Sequence, residues 1–291
     1  MHRRNKNIFG VKMVLPALTL MLILLIYPLI RGITYAFTNY RLDRPGKMKF
    51  VFLKNFMSIL SSDHRFYESL GFTLLYSVGV VLIAYVIGFG IALLLNQDVP
   101  GRGVFRALIL LPWVISSSVT ATNWKWLLND TYGLINIVLQ KIGLIDSPLL
   151  FLAKPGLARF TVIFIGAWKT LPFMTIVILA GIQSISSDLY ESAAIDGAGF
   201  WQSVRYIIMP GIKGITVMCT TLQFIWTFNN FENIYLMTAG GPNDATFTLP
   251  IYIYQMAFER SRIAYAAAVA VIILIFMVIF SVVRFRLQKD E

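Results

Sequence analysis

Ser186-Ser187-Asp188-Leu189-Tyr190-Glu191-Ser192-Ala193-Ala194-Ile195-Asp196-Gly197-Ala198-Gly199-Phe200-Trp201-Gln202-Ser203-Val204-Arg205-Tyr206-Ile207-Ile208-Met209-Pro210 is the longest soluble-looking segment in the second half of a very apolar chain. Long greasy runs flank it on both sides. It begins like a helix: Ser187 or Asp188 stands where a cap is needed, and Glu191 follows three or four positions on, as in a capping box. Gly197 and Gly199 then break that helix or turn it sharply. A second short helix is expected over about 200–206, stopping before Pro210, because the residue ahead of a proline is pushed away from helical geometry. The product is a helix, a glycine corner and another helix, held between two membrane crossings. Most such loops only connect. Here Ala193, Ala194, Gly197, Ala198 and Gly199 keep the surface low beside Glu191 and Asp196. Another protein can come close there, and its arginines would find carboxylates.

Working outward, the composition explains the greasy flanks. The chain has 291 residues, 57% hydrophobic and only 13% charged, with a mean hydropathy of +0.72. A soluble domain carries roughly a quarter charged residues. The reading is an all-α integral membrane protein, in one membrane domain. The formal net charge is +11, but the basic residues sit at membrane edges. They meet anionic lipid headgroups, and no nucleic acid is needed to explain them. The single cysteine, Cys219, lies inside an apolar run and can form no internal disulfide. His2 and His64 are far apart, so no metal site is expected.

Six apolar runs are long enough to cross a bilayer, at about 13–38, 70–95, 104–128, 158–182, 212–231 and 264–283. A basic tail, 1–12, precedes them. The first run is read as a retained span, since Pro28, Arg31 and Gly32 offer no small-residue cleavage site. The six-helix domain is 13–286, with the polar segment 186–210 inside it and a C-terminal tail at 287–291. Between spans three and four, 134–142 reads as a surface amphipathic helix. Residues 232–262 read as an outer connection turning at Gly240-Gly241-Pro242-Asn243. The Ser61-Ser62-Asp63 cluster is placed to cap the helix that leads into span two. Six spans put both termini on one side. The positive-inside rule does not decide which side, because Arg41, Arg44, Lys47, Lys49, Lys54 and Arg65 balance the other face. The runs are too long and evenly apolar for a β-barrel.

Polar residues within spans mark the places where a path could run. In span five, Thr216, Thr220, Gln223, Thr227 and Asn230 recur at steps of four and three, on one helical face. Hydrogen bonding between helices would use the same face, but the two amides favour a path lining. Span three carries Ser116, Thr120 and Asn123 on a stripe. Trp113, Trp124 and Trp126 suit an interfacial belt, whereas Trp168 lies deeper and is the better candidate for stacking on a ligand. Lys169 is the only charge well inside a span. It either faces the path or satisfies carbonyls freed by Pro172. The spans hold no Asp or Glu, and the chain has no Gly-x-x-x-x-Gly-Lys-Ser/Thr phosphate loop. No nucleophile stands beside a base, so no enzyme active site is legible.

The segment 186–210 resembles the cytoplasmic signature loop of the membrane subunits of binding-protein-dependent ABC importers. Their pattern is Glu-Ala-Ala, three residues, Gly, nine residues, Ile, one residue, Leu-Pro. Glu191, Ala193, Gly197, Ile207 and Pro210 fall on it in register, with Ser192 and Met209 as mild departures. Ile195-Asp196-Gly197-Ala198 is similar to the carbohydrate branch. Further blocks match from Arg102 to Asn136, at Trp168-Lys169, at Leu179-Ala180-Gly181, and from Phe228 through Thr238 to Pro242. They favour the type related to the larger maltose permease subunit, without its extra external domain. In those relatives the segment after span one has a Gly where Phe52 stands here, so a different local turn is expected.

The resemblance implies the type I ABC importer permease fold, six transmembrane helices with a cytoplasmic coupling helix. It assigns ATPase coupling to Glu191, Ala193, Asp196, Gly197 and Gly199. It implies a second homologous permease, two ATPase subunits carrying ATP and magnesium, and an extracytoplasmic sugar-binding protein. No cofactor is expected in this chain. The setting it implies is a bacterial cytoplasmic membrane with both termini cytoplasmic, and the cargo a carbohydrate moved by alternating access. The competing readings are an ion-coupled secondary carrier and a non-transporting membrane scaffold.

Overall fold

The computed structural model describes residues 13–97 and 100–289. The expected tail 1–12, the last two residues of the C-terminal tail, and Asp98 and Val99 in the loop after span two lie outside the described residues. The described residues are almost wholly helical, with an isolated β-bridge between Thr38 and Phe50. Four helices are long and apolar enough to cross a membrane: α1 (Met13–Ala36), α3 (His64–Leu95), α7 (Pro155–Gln183) and α13 (Ile263–Lys289, apolar through Arg286). Two bent pairs raise the number to six if each is one span. They are α4 (Arg102–Val114) with α5 (Ser117–Leu127), at 96°, and α9 (Phe200–Gly211) with α10 (Lys213–Phe228), at 67°. Shorter helices are α2 (Lys54–Ser62), α6 (Leu134–Lys141), α8 (Ser187–Ile195), α11 (Glu232–Thr238) and α12 (Leu249–Tyr254).

The chain divides into two compact units. The described part of the first is 13–64 with 252–276. Most of α1 is apolar and exposed, and within the described residues only its C-terminal end, at Ala36, is buried, so lipid or another subunit must cover the rest. Beyond α1, Asn55 Nδ2 donates to the carbonyls of Ala36 and Thr38, both at 2.8 Å, and pins the turn. Asp63 accepts hydrogen bonds from the hydroxyls of Tyr252 and Tyr265. Asp63 stands immediately before α3, and Ser61 and Ser62 close α2. Their hydroxyls turn back to the carbonyls of Met57 and Ser58, the nearest acceptors one turn earlier. Phe52 takes a left-handed backbone, φ 53°, so the turn keeps a glycine-like geometry despite its side chain.

The second unit is 65–251 with the end of α13. Its centre is the crossing of α3 and α7, which small residues bring close. A Cβ on Gly166 would stand 2.7 Å from Tyr76 Oη and 2.9 Å from Val80 Cγ2. A Cβ on Gly88 would stand 3.1 Å from Met174 Cβ. Ser69, Thr73 and Ser77 return their hydroxyl protons to carbonyls four residues back, which lets polar side chains sit in this contact. Gly166→Val is therefore expected to destabilise the fold by about 1–3 kcal/mol through overpacking. A melting curve of the purified protein that does not move would remove this crossing from the account.

Both bends have local causes. At the first, Ile115 and Ser116 are extended (ψ 134° and 153°), and Ser116 Oγ accepts from Val119 N at 3.4 Å to start α5. Pro112, inside α4, lies before the break rather than at it. At the second, the expected stop before Pro210 does not occur. A π turn over Val204–Ile208 widens the helix, with Met209 N donating to Val204 O, and α9 runs through the proline to Gly211. The break follows at Ile212, φ −97° and ψ 7°.

Candidate functional site

The segment 186–210 is built from its caps. Ser186 caps α8, its Oγ accepting from Asp188 N at 3.4 Å. This places the cap one residue before the expected Ser187 or Asp188. Asp188 lies in the first turn, where the helix dipole favours a negative charge. The reciprocal contact expected at Glu191 is found at the next helix instead, where Gln202 Oε1 accepts from Gly199 N at 2.7 Å. α8 ends in a paired closure: Ala198 N donates to Ala193 O at 2.8 Å and Gly197 N to Ala194 O at 3.1 Å. That closure needs the left-handed φ of 78° at Gly197. Nothing lies within 4 Å of a Cβ added there, so backbone conformation, not space, selects glycine. Gly197→Val is expected to cost about 1–2 kcal/mol locally and to disorder the corner. Amide hydrogen exchange at Gly197 and Ala198 as slow as in the unsubstituted protein would contradict this.

The surface that these caps present is open. Glu191, Asp196, Gly197 and Gly199 are exposed, and Ala193 is half-buried. Around them, large apolar side chains stand free: Ile195 is 87% exposed, Trp201 75% and Tyr206 71%. Behind this face, Tyr190 and Ile185 pack on a buried cluster that includes Leu95, Ile178, Ile182, Val204 and Ile208. Burial pushes the Tyr190 hydroxyl above its ordinary pKa. The knob is thus apolar and acidic outside and rooted in the core inside, which is the construction of a docking surface.

The second candidate region is the membrane path. Lys169 is half-buried, and its Nζ donates to Ile115 O at 2.8 Å and lies 3.4 Å from Thr120 Oγ1. The carbonyl it serves is the one freed at the α4–α5 break, not one freed by Pro172. All three residues of that stripe lie on the α5 side of the break, Thr120 buried and Ser116 and Asn123 exposed. Trp168 packs edge-on to Trp124, ring centroids 5.4 Å apart. On α10, Gln223 and Thr227 are 2% and 4% exposed, and Gln223 Nε2 donates to Thr227 Oγ1 at 3.1 Å. Thr220 Oγ1 donates to Thr216 O at 2.6 Å, and Asn230 Oδ1 is buried without a partner. The face that α10 leaves open carries Met218, Leu222 and Trp226 instead.

Sequence reasoning missed two groups here. Trp226 packs on Phe173 (5.2 Å), which meets Trp113 (6.4 Å), forming an aromatic ladder that crosses three elements. The spacing of Met218, Leu222 and Trp226 at steps of four was the available signal. Ser118 and Glu232, joined at 2.9 Å, had no signal, because the break that brings them together has no marker in the sequence.

Residues 84–289 match the family described as the binding-protein-dependent transport system inner membrane component. The trehalose/maltose transport system permease protein MalF of Thermococcus litoralis is 32% identical over 280 residues, 96% of this chain and 93% of that one. A chain of the solved bacterial ABC transporter for import of the acidic polysaccharide alginate is 26% identical, with a TM-score of 0.85, covering 99% of this chain and 96% of that one. The same holds for a bacterial alginate ABC transporter in complex with its alginate pentasaccharide-bound periplasmic protein, at 25% identity, TM-score 0.83 and the same coverages. The fold is that of a type I ABC importer permease, and the chain belongs to the binding-protein-dependent transport system inner membrane component family, as an ABC transporter permease.

Proposed function

We propose that this chain is the membrane subunit of an ATP-driven importer that carries a carbohydrate into a bacterial cell. The observation that carries the ATP-driven part is the exposed knob at 186–210, whose Ile195, Trp201 and Tyr206 have no cover within the chain. An ATPase subunit fits it: apolar residues fill its cleft and Glu191 or Asp196 meets its arginines. ATP and magnesium belong to that subunit, and this chain hydrolyses nothing. The knob then faces the cytoplasm, and both termini lie on that side. The largely exposed, apolar α1 suits lipid or a second, homologous permease. The carbohydrate part is supported by the sugars that the relatives carry and by the aromatic ladder at Trp113, Phe173 and Trp226, since aromatic faces suit the apolar faces of sugar rings. An extracytoplasmic sugar-binding protein delivers the cargo. Ser116, Thr120, Asn123, Trp168, Lys169, Thr220, Gln223, Thr227 and Asn230 form or brace the path as the two permeases rock between inward-open and outward-open.

The test is affinity purification of the tagged chain followed by an ATPase assay in lipid. An ATPase subunit should co-purify, and a sugar-loaded binding protein should raise its turnover. Uptake that runs on an ion gradient without any ATPase would replace the proposal with a secondary carrier. Co-purification with no uptake of any solute would leave a scaffold.

A further inference from the structure

Glu232 opens α11, immediately after the connection that follows α10. Its Oε1 accepts from Ser118 Oγ at 2.9 Å, and both residues are exposed. Ser118 lies in the first turn of α5, three residues past Ile115, whose carbonyl holds Lys169. Lys169 is the middle residue of the 29-residue α7, so about 21 Å of helix extends to each side of it. A bilayer core is about 30 Å thick. Lys169, the α4–α5 break and Ser118 therefore lie near mid-depth, and Glu232 is held there with them.

A carboxylate exposed at mid-depth does not face hydrocarbon. It faces protein or a water-filled path. Lys169 Nζ is turned to Ile115 O and Thr120 Oγ1, and of the two charged side chains it is the carboxylate that stays exposed. The start of α5, which would otherwise attract an anion, already has one from this chain. A substrate carboxylate or phosphate passing this level meets a like charge in a medium that screens poorly. We infer that Glu232 lines the permeation path and selects by charge, admitting neutral sugars and opposing anionic ones. This rests on the carbohydrate reading above and names the class of sugar.

The test uses the complete importer in proteoliposomes with its binding protein at saturation. Probes are neutral trisaccharides of glucose and of galactose, each beside its counterpart with one C6 hydroxymethyl group oxidised to a carboxylate. The readout is the anionic-to-neutral uptake ratio of each variant divided by that of the unsubstituted importer, in which the binding protein's own preference cancels. Glu232→Gln is expected to raise this quotient roughly tenfold, and Glu232→Asn serves in its place if the first variant does not assemble. Glu232→Asp, which keeps the charge, is expected to leave it near one. A quotient near one for the neutral substitutions, or an equal rise with Asp, overturns charge selection and leaves the carbohydrate reading intact. Absence of uptake of every sugar by the unsubstituted importer overturns both.

Discussion

Glu191→Lys is expected to cut ATP-driven uptake by tenfold or more while the permease still reaches the membrane in normal amount. Glu191 is exposed on α8, away from the buried cluster that roots the knob, so folding does not depend on it. An arginine–carboxylate contact near a protein surface is worth up to about 4 kcal/mol at 4 Å, and a lysine in its place turns attraction into repulsion. Each 1.4 kcal/mol of lost docking is about tenfold in the bound fraction. The measurement is uptake beside ATPase co-purification, with Glu191→Gln as the milder case. Full uptake by the lysine variant would show that the knob transmits nothing through this carboxylate.

Lys169→Met is expected to lower stability by about 1–3 kcal/mol and to impair uptake, because the half-buried Ile115 carbonyl loses its donor. Methionine fills similar volume, so the loss reports the hydrogen bond and not a cavity. Lys169→Arg should recover part of it. A double-mutant cycle with Thr120→Val separates the shared contact at 3.4 Å from independent effects. A cycle with Pro172→Ala should show little coupling. Strong coupling to Pro172 and none to Thr120 would return Lys169 to the role first read from the sequence.

That reversal shows where sequence reading stops. Lys169 was legible as a residue that must have a partner, because a lone charge in an apolar run is costly. Its partner was not, since Ile115 is 54 positions away and its carbonyl is free only where the helix breaks. Ser116, Thr120 and Asn123 share a stripe of α5 as their spacing says, yet only Thr120 is buried, because packing against α7 and not periodicity sets burial. On α10, periodicity correctly grouped Gln223 and Thr227, but a repeat of 3.6 says which residues share a face and not what that face meets.

The sequence by itself determined the class of molecule and the position of its knob. Apolar runs longer than the bilayer is thick leave only helices, and a polar, glycine-cornered interval between two of them has to stand in water. Tertiary structure alone decided which polar groups are sealed inside and which stay open, at Gln223, Lys169 and Glu232. Those outcomes depend on long-range packing, on close approaches such as Gly166 against Tyr76, and on partners that meet the bend at Ile115 from far along the chain, Lys169 and Glu232.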